Sequence, residues 1–114
     1  TDLEEFYAYS NTFTGILPTE IAKWTGIRIF SLDKNEIKGT LPTELGTWKE
    51  LEEFSVNDNL FSGTLPTQFG QLSALKYLDL RANVLIGTLP TELGRLHALS
   101  TVDVSNNSFT GTLP

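Results

Sequence analysis

The most constraining feature of this 114-residue sequence is a repeat with a fixed period of 24 residues. The eight letters GTLPTELG begin at Gly39 and return unchanged at Gly87, while GTLPTQFG begins at Gly63. Prolines, glycines and asparagines each recur at this spacing, and no insertion interrupts it. A period of roughly 20 to 50 residues is typical of solenoids, so we predict about five stacked coils.

Each column of the repeat predicts a local structure. The coil that begins at Leu75 reads LxxLxLxxNxLxGxLPxxLGxL, with two connecting residues after it. Apolar residues alternate with polar ones around Phe54 and Val56, which predicts a short half-buried strand parallel to the strand of the next coil. The glycine four positions after the asparagine suits a positive φ or a close approach of two chains, and the proline suits the start of a short helical turn.

The recurring asparagine follows the predicted strand. Its amide both donates and accepts, so within a turn it can satisfy backbone groups of adjacent coils that would otherwise be buried without a partner. We therefore predict a structural ladder formed by Asn11, Asn35, Asn59, Asn83 and Asn107.

Composition and charge exclude several classes of function. The formal net charge of −6 argues against nucleic acid and anionic membranes as partners, because both require a cationic surface. No run approaches the roughly 18 consecutive apolar residues of a membrane span, so we expect no direct membrane contact by this segment. The sequence has no cysteine, which excludes disulfides and thiolate metal sites. We expect neither a metal nor a cofactor.

The repeat pattern runs from end to end of the sequence. It opens two residues before the first repeat leucine, Leu3, and stops at Pro114 within the fifth unit. Solenoids need atypical terminal repeats that cover the last hydrophobic coil, and neither end has one. We therefore expect a single repeat array over residues 1–114, a fragment that lacks both caps.

The pattern LxxLxLxxNxLxGxLPxxLGxL resembles the plant-specific class of leucine-rich repeats, found in receptor-like kinase ectodomains and polygalacturonase-inhibiting proteins. The resemblance covers essentially all 114 residues. It implies an α/β fold: a right-handed solenoid shaped as a horseshoe arc, with a concave parallel β-sheet and a convex side of 3₁₀ or irregular segments. It also implies a second small strand near each GTLP stretch and an extracellular or cell-surface location.

Catalysis is not expected, and we assign no catalytic residue. The one histidine, His97, follows a convex segment and faces away from the strand carboxylates. Asp79 and Asp103 occupy the same outward column on adjacent strands, so their backbones should lie about 4.8 Å apart. Such a pair could bind a cation or act as a hydrolase pair, but we favour two solvated side chains.

The outward strand columns escape the repeat, so folding does not dictate them. These columns hold six acidic and two basic residues, a net charge of −4, and three tyrosines. Exposed tyrosines are enriched in recognition surfaces. The sequence therefore predicts a noncatalytic recognition module of a receptor-like or secreted protein, with a peptide or protein ligand on its concave face. The predicted ligand-binding residues are Tyr7, Tyr9, Ile29, Asp33, Glu53, Asn57, Tyr77, Asp79, Arg81, Asp103 and Ser105.

Two further patterns leave alternatives open. Threonines form convex files, which suggest a structural or surface solenoid that binds ice or cell-wall polysaccharide, although a threonine in a strand or turn needs no function. Asn106-Asn107-Ser108 matches the N-glycosylation sequon, a short motif whose middle residue is already assigned to the ladder. The first threonine file is Thr40, Thr64, Thr88 and Thr112, and the second is Thr19, Thr43, Thr67 and Thr91.

Overall fold

A computed structural model describes residues 3–8 and 12–111. Five strands, one from each coil, form a parallel sheet in the order β1-β3-β5-β7-β9. Each residue of these strands lies opposite the residue 24 positions further on, as Phe30 lies opposite Phe54. The predicted parallel sheet is thus confirmed. Numbered in chain order, these strands are β1 Glu5–Tyr7, β3 Ile29–Ser31, β5 Glu53–Ser55, β7 Tyr77–Asp79 and β9 Thr101–Asp103.

A second strand in each coil confirms the extra strand that the resemblance implied. These strands form a three-stranded sheet, β2-β4-β6, and a separate pair, β8-β10. Two backbone hydrogen bonds still connect the two groups, from Val84 N to Phe61 O at 2.9 Å and from Ile86 N to Gly63 O at 2.9 Å. The strands are β2 Thr14–Ile16, β4 Glu36–Thr40, β6 Leu60–Ser62, β8 Ile86–Thr88 and β10 Ser108–Thr110.

Short 3₁₀ helices complete the coils on the convex side. A proline with φ between −75° and −62° precedes each of the four helices, as the sequence predicted. Proline suits this place because its fixed φ favours a helical start and its missing N–H would have no helical partner. The helices span Thr19–Lys23, Thr43–Thr47, Thr67–Gln71 and Thr91–Arg95. No helix in the described part of the chain is long and apolar enough to cross a membrane.

The core lies between the sheet and the convex helices and runs the length of the stack. Phe6, Phe30 and Phe54 occupy one strand column, and their rings stack at centroid distances of 5.5 and 5.6 Å. Trp48 packs on Phe30 at 5.2 Å, while Phe69 meets Phe54 edge-on at 5.3 Å. The strand phenylalanines of the first three coils therefore pack on one another between coils, while Trp48 and Phe69 pack on the phenylalanine of their own coil. A single coil would lack the contacts between coils and could not form such a core.

Three of the repeated glycines, Gly39, Gly63 and Gly87, combine a positive φ with a close approach of the preceding coil. Gly63 has φ +75°, and a Cβ atom at this position would lie 2.9 Å from the Cγ2 methyl of Thr40. Gly87 has φ +82°, and its Cβ would lie 3.0 Å from Cγ2 of Thr64. A side chain here would be strained in conformation and would also collide with the preceding coil.

Each described asparagine of the repeat column hydrogen-bonds to two coils. Asn59 Nδ2 donates to Val56 O of its own coil at 3.0 Å and to Leu32 O of the preceding coil at 2.8 Å. Its Oδ1 accepts from the buried backbone N–H of Ile37 at 3.1 Å. Asn11 lies outside the described residues. The same arrangement is present at Asn35, Asn83 and Asn107.

Candidate functional site: the concave surface

The predicted ligand-binding residues lie on the five-stranded sheet or in the turns that leave it, except Tyr9, which is outside the described residues. Tyr7 is 53% exposed, and Glu53 and Ser105 are exposed as well. Partly buried positions make up the middle of the surface. These are Ile29, Asp33, Tyr77, Arg81 and Asp103.

Asn57 and Asp79 correct the expectation that all these side chains point freely into solvent. Asn57 is 5% exposed and Asp79 is 2% exposed. Tyr77 Oη and Asn57 Nδ2 both donate to Asp79 Oδ2, at 3.1 and 2.9 Å, while the backbone N–H of Arg81 donates to Oδ1 at 3.1 Å. The aspartate is buried because these neighbours close around it, so the two residues support the surface from beneath.

A continuous hydrogen-bonded row crosses the sheet from the second coil to the fourth. Asp33 Oδ1 accepts from Ser55 Oγ at 2.6 Å and from the backbone N–H of Asn57 at 3.1 Å. Asn57 Nδ2 then continues the row to Asp79. Ser31 and Ser55, which the sequence analysis left out of the site, are buried within this row. Such bonds fix the side chains before any ligand arrives, which lowers the ordering cost of binding.

Arg81 separates the two carboxylates that suggested a cation or hydrolase site. Its guanidinium lies 3.8 Å from Asp79 Oδ2 and 3.7 Å from Asp103 Oδ2, so the protein itself supplies the cation between them. Hydrogen bonds from Ser105, together with the charge of Arg81, hold the pKa of Asp103 below its usual range. An ionised carboxylate paired with arginine is a poor proton donor, and this disfavours the hydrolase interpretation.

Two other observations concern groups that could support catalysis or bind a metal. His97 is exposed just after the 3₁₀ helix Thr91–Arg95, away from the strand carboxylates. Within residues 3–8 and 12–111, no group of three or more His, Cys, Asp or Glu side chains could hold a metal ion. The side chains of this surface are joined by hydrogen bonds and ion pairs.

Tyr77 keeps its proton and serves as a donor. Burial, and then the negative charge of Asp79, raises the pKa of the Tyr77 phenol above its ordinary value. The side-chain amide oxygen of Asn57, Oδ1, is also buried in this row, but it has no hydrogen-bond partner among the described residues. The hydroxyl of Tyr77 and the amide N–H group of Asn57 are thus both used as donors to Asp79, whereas the amide oxygen of Asn57 remains unused.

A column of alternating charge borders the sheet and was missed by the sequence analysis. Glu4, Arg28, Glu52 and Lys76 stand 24 residues apart and alternate in sign, which was the available signal. The carboxylate of Glu52 accepts hydrogen bonds from Arg28 Nε at 3.1 Å and from Lys76 Nζ at 3.4 Å. These hydrogen bonds, first from Arg28 and then from Lys76, lower the pKa of Glu52. Neighbouring coils are therefore joined by ion pairs along this edge, and the cations there are already neutralised.

The threonines of the two convex files are exposed wherever the structure describes them; Thr112 lies outside the described residues. In the first file, the methyl groups of Thr40, Thr64 and Thr88 each pack over the glycine of the next coil. The outward residues two positions earlier, Lys38, Ser62 and Ile86, share no chemistry. The threonines of the first file thus pack against the next coil. The outward positions beside them in the same strands do not repeat one residue type.

Stacked coils of one period, joined by parallel strands and asparagine hydrogen bonds, define a solenoid repeat protein whose variable residues gather on the inner sheet. The sequence profile described as "Leucine rich repeat" matches residues 49–109, and the chain belongs to the leucine-rich repeat family. A comparison with curated proteins found no match.

Solved structures similar to this chain include receptor ectodomains from plants. One is the ectodomain of the Arabidopsis thaliana membrane receptor kinase GASSHO1/SCHENGEN3, in complex with CASPARIAN STRIP INTEGRITY FACTOR 2. It is 41% identical with a TM-score of 0.96, over 98% of this chain and 14% of that one. The plant peptide hormone receptor RGFR1, in complex with RGF2, is 37% identical with a TM-score of 0.97, over 100% of this chain and 18% of that one.

Similarity also extends to bacteria. The Leptospira interrogans LRR protein LIC12759 is 34% identical with a TM-score of 0.88, over 99% of this chain and 28% of that protein. The chain therefore spans less than a fifth of the two plant receptor structures and under a third of the bacterial protein.

Proposed function

We propose that this chain is a noncatalytic recognition module that binds a peptide or protein segment on its concave sheet. It belongs, in this proposal, to a receptor-like or secreted protein at the cell surface. The observation that carries the proposal is the prearranged polar row from Asp33 through Asn57 and Asp79 to Arg81 and Asp103. Similar structures that were solved in complex with CASPARIAN STRIP INTEGRITY FACTOR 2 and, for a plant peptide hormone receptor, with RGF2 support a peptide or protein partner.

The charge of the surface indicates what the ligand carries. The outward columns have a net charge of −4, and Glu53 is exposed between Ile29 and Tyr77 in its column with no ion pair within the described residues. A ligand with lysine or arginine side chains beside some apolar surface matches this arrangement. Because the surface is open, its association with the ligand should weaken as salt is added.

The test uses two charge reversals that are three residues apart. Glu53→Lys changes the exposed concave carboxylate, while Glu50→Lys makes the same change in an exposed convex turn. Peptides selected from a displayed random library against the chain would be titrated with the parent and with both variants. We expect selected peptides rich in Lys or Arg, a loss of about tenfold in affinity for Glu53→Lys, equivalent to about 1.4 kcal/mol, and no change for Glu50→Lys.

A third variant addresses the convex alternative. Thr64→Ala alters the threonine file and should leave peptide affinity unchanged. Equal affinities of the parent and Glu53→Lys, or a loss confined to Thr64→Ala, would show that the concave sheet is not the binding surface. Asn57 and Asp79 are left intact in this design, because changing buried residues would confound binding with folding.

A further inference from the structure

The turn after β9 carries an asparagine that the fold does not use. Asn106 is exposed and adopts the left-handed conformation, with φ +55°. Its side chain makes no hydrogen bond or ion pair with any described residue. Its neighbour Asn107 differs: Nδ2 donates to Leu80 O at 2.7 Å, and Oδ1 accepts from Leu85 N at 3.0 Å. The structural role in this turn therefore falls to Asn107 alone.

The residue two positions after Asn106 completes a sequon with a free hydroxyl. Ser108 begins β10 and is exposed. Its backbone N–H donates to Leu85 O at 2.8 Å, but its hydroxyl has no hydrogen-bond partner in the described part of the chain. Of the seven asparagines in the sequence, Asn106 is the only one followed at the second position by Ser or Thr. The side-chain amide of Asn106 and the hydroxyl of Ser108 are both accessible, while Asn107 between them bonds to the preceding coil.

The backbone conformation does not explain why asparagine stands at this position. The equivalent residues of the preceding coils are Lys34, Asp58 and Ala82, and their φ values are +62°, +57° and +59°. Asparagine is favoured in the left-handed region, but this turn forms equally with a lysine or an alanine. The side chain of Asn106 is therefore free to serve another purpose.

We propose that Asn106 is an N-glycosylation site, an inference that rests on the cell-surface or extracellular location of the proposed function. The donor is a lipid-linked oligosaccharide diphosphate. A bond forms between Asn106 Nδ2 and the anomeric carbon of the oligosaccharide, and the bond from that carbon to the diphosphate oxygen breaks. The lipid diphosphate leaves, and one amide proton passes to a base of the transferase. No oxidant or reductant takes part.

A glycan at this position would limit one end of the concave surface. Asn106 directly follows Ser105, whose hydroxyl donates to Asp103 at 2.6 Å on the last strand of the sheet. The sugar would be attached beside these two residues and would restrict ligand contacts there. Tyr7 and Glu53, on β1 and β5, are exposed further along the sheet from the attachment point.

The experiment measures the intact mass of the chain after secretion from a eukaryotic host that performs N-glycosylation, with a secretion leader added. Treatment with peptide N-glycanase should remove the added mass and convert Asn106 to aspartate. Ser108→Ala removes the sequon while keeping the asparagine, and Asn106→Asp keeps the shape of the side chain while removing the acceptor. We expect glycan on the parent and on Ser108→Thr, and none on the other two variants.

Two outcomes overturn the proposal: a secreted parent with the mass of the bare polypeptide, or a glycan that persists in Asn106→Asp. Unfolding of all variants made without glycan should match the parent, because none of the changed groups bonds to the fold. The readout is a mass and requires no ligand. A chain that carries the glycan but fails to select peptides would contradict the proposed function alone, and the reverse result would contradict only the glycan.

Discussion

Replacing Asn59 with alanine tests whether the asparagine hydrogen bonds hold adjacent coils together. Three of the groups that bond to Asn59 are backbone carbonyls, and each keeps a second donor. Leu32 O retains Asn35 Nδ2 at 2.9 Å, and Val56 O retains Asn83 Nδ2 at 3.0 Å. The third carbonyl, that of residue 57, retains the N–H of residue 34 at 2.9 Å.

The N–H of Ile37 is the group that suffers most from Asn59→Ala. Asn59 Oδ1 accepts from it at 3.1 Å, and Ile37 is buried, so the change leaves a donor without its side-chain acceptor. An unpaired buried donor costs about 1–3 kcal/mol, and three weakened carbonyl interactions add to this. We expect a loss of about 2–3 kcal/mol in the free energy of unfolding.

Urea unfolding followed by the fluorescence of Trp24 and the buried Trp48 measures this loss, and the midpoint should fall by on the order of 1 M. Glu50→Ala, at an exposed position with no described contact, is the control and should stay within about 0.5 kcal/mol of the parent. Asn59→Asp keeps the acceptor for Ile37 but brings a carboxylate against three carbonyls. It should be less stable than Asn59→Ala at neutral pH and recover as acid protonates the carboxyl. Equal stability of Asn59→Ala and Glu50→Ala would refute the reasoning.

Two further predictions concern the coil contacts. Gly63→Ala should destabilise the chain by about 1–2 kcal/mol, because the new Cβ meets the left-handed conformation and the Thr40 methyl, whereas Gly94→Ala, with open space and no positive φ, should be neutral or slightly stabilising in thermal unfolding. Glu52→Gln should flatten the acid dependence of stability: the folded pKa of Glu52 is lowered, so its contribution is complete above the unfolded pKa of about 4.3 and is lost as pH falls below it. Urea midpoints for parent and variant that stayed parallel from neutral pH to about pH 3 would contradict this.

Most of the fold could be predicted from the sequence because the 24-residue period shows where each coil begins and which residues are equivalent. Phe30 is restricted by its partner Phe54 in the same column one coil away, and Gly63 and Gly87 are restricted by the threonine methyls of the preceding coil. The same residue types therefore recur in each copy of the repeat. The division of the second strands into groups of three and two was not predictable. Two backbone hydrogen bonds, from Val84 N to Phe61 O and from Ile86 N to Gly63 O, still cross this boundary, so the division rests on backbone geometry that the residue columns do not specify.

The candidate site was predicted less completely, for a physical reason. The period-two alternation tells which side of the sheet a residue faces, but not whether its neighbours cover it. Ser55 and Asp79 face the inner side as expected, yet both are buried. Ser55 Oγ donates to Asp33 of the preceding coil, and Asp79 accepts from Asn57 of the preceding coil. Such cross-coil bonds depend on side-chain conformations that a column of letters does not specify.

The bonds of the asparagine column also restrict how a protein of this design can change its length. Each amide reaches one coil back, so the environment of a coil is set only by its immediate neighbours. An in-frame duplication of one 24-residue unit would reproduce every one of these bonds, whereas an insertion of one residue within a strand would misplace the rest of its coil. Genetic recombination that keeps these bonds therefore lengthens the array in whole turns, each of which widens the inner sheet by about 4.8 Å.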